Sequence, residues 1–173
     1  MKQFLALFLT LLLCVSLFGC QSKEAVSLDL TAEADWILSQ YNLTDGRQFS
    51  SFSQEEGRYL DEELIRSYYG DASVMPDFSA VEAYVVYIDE TKPTQPSEFG
   101  IFQRKKDADN ALFMSFLQAR IDLKLQNAAF YASTDTEALT TAVVAESNGF
   151  VWYCVIKGGN AEIDASLREK TGG

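Results

Sequence analysis

The chain has 173 residues, with 14 basic and 25 acidic side chains, no histidine and a net charge of −11. Without an imidazole, Ser-His-Asp and Cys-His hydrolases, histidine-ligated zinc and histidine general bases are excluded, leaving carboxylate chemistry, a Ser-Lys pair or an all-oxygen metal site. The acidity disfavours nucleic acid as a partner. The sequence has no G-x-G-x-x-G, P-loop, G-x-S-x-G or EF-hand loop, so no cofactor and no metal are expected.

In chain order the first feature is a targeting segment. Lys2 supplies a positive start, residues 4–18 form an apolar run, and Leu17-Phe18-Gly19-Cys20 closes it. Gln21, Ser22, Lys23 and Glu24 end the run before the roughly 20 apolar residues that a membrane span requires. The tetrapeptide resembles the lipobox of bacterial lipoproteins. That resemblance implies cleavage after Gly19, with a diacylglycerol on the sulfur of Cys20. The alternative is an ordinary secretion signal that leaves Cys20 a free thiol. Residues 1–19 are therefore read as a signal peptide, 20–30 as a tether and 31–173 as one domain.

Processing would leave 154 residues with 13 basic against 25 acidic side chains, a net charge of −12. That length suits a single core. Two or more acyl chains hold a protein durably, at about 0.8 kcal/mol per buried methylene. A tether of about ten residues reaches at most some 35 Å from the bilayer. An acidic surface is repelled by anionic phospholipid, so acylation rather than a basic patch would supply the attachment.

Residues 31–42 have apolar side chains at helical spacing, with Thr31 as the expected N-cap. Residues 53–56 have capping-box spacing, and residues 61–69 predict a short helix ending at Gly70, where a positive φ is tolerated. The pattern then changes. Residues 82–89 and 98–104 are β-branched and aromatic, which predicts two antiparallel strands joined by a loop holding Pro93 and Pro96. Asp107 is the expected cap of a long helix to Tyr131, with Ala108, Leu112, Phe116, Ala119 and Leu123 as its apolar stripe, widened by Phe113, Leu117 and Phe130. Residues 140–147 and 150–157 predict a hairpin turning at Asn148-Gly149. The last strand is apolar on both faces, implying a covered central position. Residues 161–170 predict a closing helix, with the final three residues frayed.

The expected fold is α+β: a small antiparallel sheet of about four strands in two hairpin-like pairs, separated by one long helix packed on the sheet, with N-terminal helices. Cys14 leaves with the signal peptide and Cys20 is consumed by lipid, so Cys154 has no intramolecular partner. Its apolar surroundings mark it as a buried small hydrophobe rather than a nucleophile.

The order of a strand, a Pro-bearing loop, Ser97-Glu98-Phe99-Gly100-Ile101-Phe102, a long helix with Leu117-Gln118-Ala119-Arg120, Gln126 and Phe130-Tyr131, and then Gly149-Phe150-Val151-Trp152-Tyr153-Cys154-Val155-Ile156 resembles the domain-of-unknown-function 4358 lipoproteins of Firmicutes. The resemblance covers residues 60–156. It implies a lipid-anchored protein on the extracytoplasmic face of the cell membrane, and it supplies no activity and no catalytic residues. The family's acidic pair before the second strand and its proline after the helix are replaced here by Ser97-Glu98 and Tyr131-Ala132.

No catalytic residue is assigned from the sequence. Glu98 and Arg120 are positioned to form an ion pair between sheet and helix, worth about 0 to 1 kcal/mol if exposed. Glu98, Arg120, Tyr84 and Trp152 are the candidate binding residues, although strand aromatics such as Tyr84, Tyr87, Phe99, Phe102, Trp152 and Tyr153 are more often core. The expected function is a noncatalytic binding or interaction module at the cell surface, engaging an unknown protein or small molecule. The alternatives are a cell-envelope hydrolase using two facing carboxylates and a structural accessory subunit of an envelope complex.

Overall fold

A computed structural model describes residues 26–70, 75–92, 94–131 and 134–173. The signal segment, Cys20, most of the tether and Ala132 lie outside the described residues. Five strands form one antiparallel sheet: β1 (Arg47–Ser50), β2 (Val81–Asp89), β3 (Ser97–Arg104), β4 (Val143–Ser147) and β5 (Phe150–Val155). Their spatial order is β1-β2-β3-β5-β4. Five helices flank them: α1 (Leu30–Gln40), α2 (Glu62–Tyr69), α3 (Asn110–Ala128), the single turn α4 (Glu137–Thr140) and α5 (Asn160–Thr171).

Alternation along the strands divides the core into two layers. Tyr84, Val86, Ile88, Phe102, Val151, Tyr153 and Val155 face α2, α3 and α4. Ala83, Val85, Tyr87, Phe99, Ile101, Trp152 and Cys154 face α1 and α5. β2, β3 and β5 are therefore apolar on both sides because helices cover both sides. The α+β architecture read from the sequence is present, with one long helix packed on an antiparallel sheet.

The fifth strand is a correction. β1 was not predicted, because Arg47-Gln48-Phe49-Ser50 has one strongly apolar residue, Phe49, and pairs along β2 through tertiary context rather than propensity. Several boundaries also move. Asp29, not Thr31, caps α1, accepting from the backbone N–H groups of Thr31 and Ala32 at 3.1 Å. Asp109, not Asp107, caps α3 through Leu112 N–H at 3.0 Å, while Asp107 turns the chain at φ +67°. Residues 53–56 are non-helical, and Asp61 caps α2. Thr140 belongs to α4 rather than to the following strand.

Gly70 ends α2 at φ −85°, so the left-handed expectation fails. A Cβ there would lie 2.9 Å from the sulfur of Met75 and 3.0 Å from the Arg66 carbonyl oxygen, so the position is tightly packed. The hairpin turn is as expected: Asn148 (φ 45°) and Gly149 (φ 86°) both have positive φ, the signature of a type I′ turn. The C-terminus is held rather than frayed, because Asn148 Nδ2 donates to the carbonyls of Thr171 and Gly172.

Candidate functional site

Strand alternation places Glu98 on the same side of β3 as Phe102, beneath α3, and its side chain is 0 % exposed. A buried carboxylate is strongly unfavourable unless it is paired and hydrogen-bonded. Arg120 provides that pairing. Its Nε donates to Oε1 at 2.8 Å and its Nη2 to Oε2 at 2.7 Å, a two-pronged contact, while Nη1 donates to the Tyr68 carbonyl at 3.0 Å. Lys124, one helical turn further along α3, brings its Nζ to 3.1 Å from the same Oε2.

Aromatic rings complete the enclosure. The guanidinium of Arg120 lies 5.0 Å from the Tyr68 ring centroid and 5.6 Å from that of Tyr69, within cation–π range. The Tyr69 and Tyr153 hydroxyls are hydrogen-bonded at 3.0 Å. Burial pushes both phenols well above their ordinary range. Burial works against the charge on Arg120, yet the adjacent Glu98 carboxylate more than offsets it and raises the pKa. The cluster thus has two cations on one carboxylate, and Lys124 is its most exposed member.

The sequence located the Glu98–Arg120 pair but assigned it the weak energetics of an exposed contact. The structure places it inside, which changes its role from surface decoration to the polar core of the α2–α3 layer. Tyr84 and Trp152 do not join it in one binding surface. Both are buried, Tyr84 towards α3 and Trp152 on the opposite face of the sheet, where its Nε1 donates to Asp164. The core reading of the strand aromatics therefore holds. Cys154 is also fully buried, and burial raises its thiol pKa far from reactivity.

Above the ion cluster runs a groove of about 580 Å³ between α2 and α3, with Tyr68, Phe116, Ala119, Leu123 and Lys124 in its walls. The stripe expected from the sequence mixes two faces of α3: Leu112, Phe116, Ala119 and Leu123 turn towards solvent or the groove, whereas Phe113 and Leu117 pack on the sheet. The residues of α3 that pack on the sheet are Phe113, Leu117, Ile121 and Ala128. Leu112 and Leu123 are 52 % and 58 % exposed, and Phe130, just beyond the helix, is 84 % exposed. Counting apolar residues along α3 yields two stripes, and spacing alone does not say which one meets the sheet.

A second cleft, of about 380 Å³, lies at the end of the sheet near Tyr87, Asp89 and Ser97. Two ion pairs rim it, Lys92 with Asp45 and Lys157 with Asp135. The lysine hydrogen bonds hold both carboxyls below their ordinary range, so neither is suited to remain protonated as a general acid. Among the described residues no group of three His, Cys, Asp or Glu could hold a metal ion, and no helix is long and apolar enough to cross a membrane. Comparison with protein-family models, curated proteins and solved structures gives no match for this chain.

Proposed function

We propose that this chain is a noncatalytic interaction module, carried on the extracytoplasmic face of a cell membrane by a lipid on Cys20. The reading rests on one observation above all. The outer face of α3 exposes an apolar stripe beside a groove, and the floor of that groove is fixed by the Glu98–Arg120–Lys124 cluster. Clustered apolar surface on a small soluble domain marks an interaction site. Five of the seven large apolar side chains most exposed among the described residues, namely Leu112, Leu123, Leu125, Phe130 and Tyr131, lie on α3 or within three residues of its end.

The anchor is supported by the lipobox-like tetrapeptide and by the resemblance to the domain-of-unknown-function 4358 lipoproteins. A buried, ion-paired cluster gives a rigid floor rather than a reactive group, since its only carboxylate is already committed to two cations. The hydrolase alternative calls for two facing carboxylates, whereas Asp45 and Asp135 at the rim of the sheet-end cleft are each tied to a lysine.

A photo-crosslinking residue at Leu123 in living cells tests this function. Illumination yields higher-mass adducts from position 123 and none from a control at Asp35, an exposed residue of α1 on the other side of the sheet. Equal adducts from both positions, or none from either, would overturn the reading.

A further inference from the structure

We infer that the cleft at the end of the sheet binds a small aliphatic amine, with the ammonium group on Asp89; this site is separate from the α3 groove and goes beyond the interaction-module reading. Asp89 is the last residue of β2, where it pairs with Ser97 of β3. It shares the face of Tyr87, two residues earlier, and both line the cleft. Asp89 is only 6 % exposed. Its Oδ1 accepts from the backbone N–H of Thr91 at 2.8 Å and from the Thr91 hydroxyl. Among the described residues no donor reaches Oδ2, and no lysine or arginine forms an ion pair with the carboxylate. Oδ2 is not sealed off, since the fully enclosed side-chain polar atom without a partner among the described residues is Thr134 Oγ1. A carboxylate so nearly buried is unfavourable until a donor or a cation completes it.

The other charges of the cleft cancel. Lys92 is engaged by Asp45, and Lys157 by Asp135 with Glu137 a further 3.6 Å contact. What remains is the negative charge of Asp89, so complementarity calls for a positive ligand. No group of three His, Cys, Asp or Glu among the described residues is placed to hold a metal ion, which points to an organic cation. Thr91 already occupies Oδ1, so one oxygen is open. A guanidinium is a fork that matches two oxygens, whereas an ammonium is a compact point donor suited to one.

The walls say what the ammonium is attached to. Tyr41, Leu43, Pro96 and Ala138 offer apolar surface to a methylene stem. A zwitterion would bring a carboxylate that must displace Asp45 or Asp135 from its lysine, so the ligand carries none. At about 380 Å³ the cleft has the size of a small-molecule site. It is also preformed: Gly46 N–H donates to the Tyr87 hydroxyl at 2.8 Å, and Asp135 N–H donates to the Thr94 carbonyl at 2.9 Å. Fixed walls reduce the ordering cost of binding.

The test is calorimetric titration of the full chain in phosphatidylcholine nanodiscs, with empty nanodiscs as the blank. Pentylamine and cadaverine are expected to bind, and 1-pentanol and L-lysine at least about tenfold more weakly, the scale of one hydrogen bond to a charged group. Asp89→Asn, which keeps the acceptor for Thr91, is expected to weaken pentylamine by at least about tenfold. Glu90→Gln removes a neighbouring exposed carboxylate and leaves the affinity within about twofold.

Absence of amine binding, equal binding of 1-pentanol, or a folded Asp89→Asn chain of undiminished affinity would overturn the inference. L-lysine binding as tightly as cadaverine would overturn the carboxylate-free class. Amide chemical shifts of the ¹⁵N-labelled parent give a readout that needs no variant. Pentylamine is expected to move Thr91 and Ser97, and shifts confined to α3 would overturn the site.

Discussion

Glu98 is the residue on which the α2–α3 layer turns. Its carboxylate has no exposure to water and is balanced by Arg120 and Lys124. Glu98→Gln leaves the Arg120 guanidinium buried without its counter-charge, and the expected loss is about 3 to 5 kcal/mol in urea unfolding. The double variant Glu98→Leu with Arg120→Met recovers much of that loss, since matched apolar replacement of a buried pair is often neutral. A loss below about 1 kcal/mol for the single change would show that water reaches the pair. The phenols supply a pH prediction. Burial first, then Glu162 beside it, pushes Tyr41 up to about 12, and burial raises Tyr69 and Tyr153 further. These groups hold protons in the folded state that the unfolded chain releases near pH 10. Their contribution to stability is therefore present below that pH and is lost as pH rises through the folded values. Tyrosinate absorbance from the buried pair Tyr69 and Tyr153 is expected to appear together with loss of near-ultraviolet circular dichroism; ionisation of these two near pH 10 with the fold intact would contradict their burial.

At the scale of elements, α3 has two apolar stripes with different destinations. Leu117→Ala, facing the sheet, is expected to cost about 2 to 5 kcal/mol. Leu112→Ala, facing outward, should change the stability of the isolated monomer by no more than about 0.5 kcal/mol. Equal effects in denaturant titrations would mean that the faces have been exchanged. Gly100 in β3 is a further case: a Cβ there would lie 2.5 Å from Tyr153 Cε1 and 2.8 Å from Phe102 Cε2. Gly100→Ala is therefore expected to destabilise by about 1 to 3 kcal/mol through crowding between rings. β2, β3, β5 and the Asn148-Gly149 hairpin were legible in the sequence because composition and turn chemistry agree there. β1 was not, because only Phe49 signals burial in it and the pairing with β2 is long-range. The Glu98–Arg120 partnership was legible, yet its burial was not. One cannot tell from a strand's composition which side a helix will cover, and the same ambiguity hid the solvent-facing stripe of α3.

For the molecule as a whole, the antiparallel sheet separates two helical layers with different surfaces. The described residues begin just ahead of α1, in the α1–α5 layer, whereas the apolar stripe and groove belong to the α2–α3 layer on the far side of the sheet. A chain held by its amino terminus would keep the first layer nearer the lipid and leave the second open to a partner. The proposed attachment depends on the sulfur of Cys20. Metabolic labelling with an alkyne fatty acid, followed by membrane fractionation, measures this directly. The account predicts label and membrane association for the parent chain and neither for Cys20→Ser. A Cys20→Ser chain that still takes up label, or a parent chain recovered unlabelled from the medium, would contradict it.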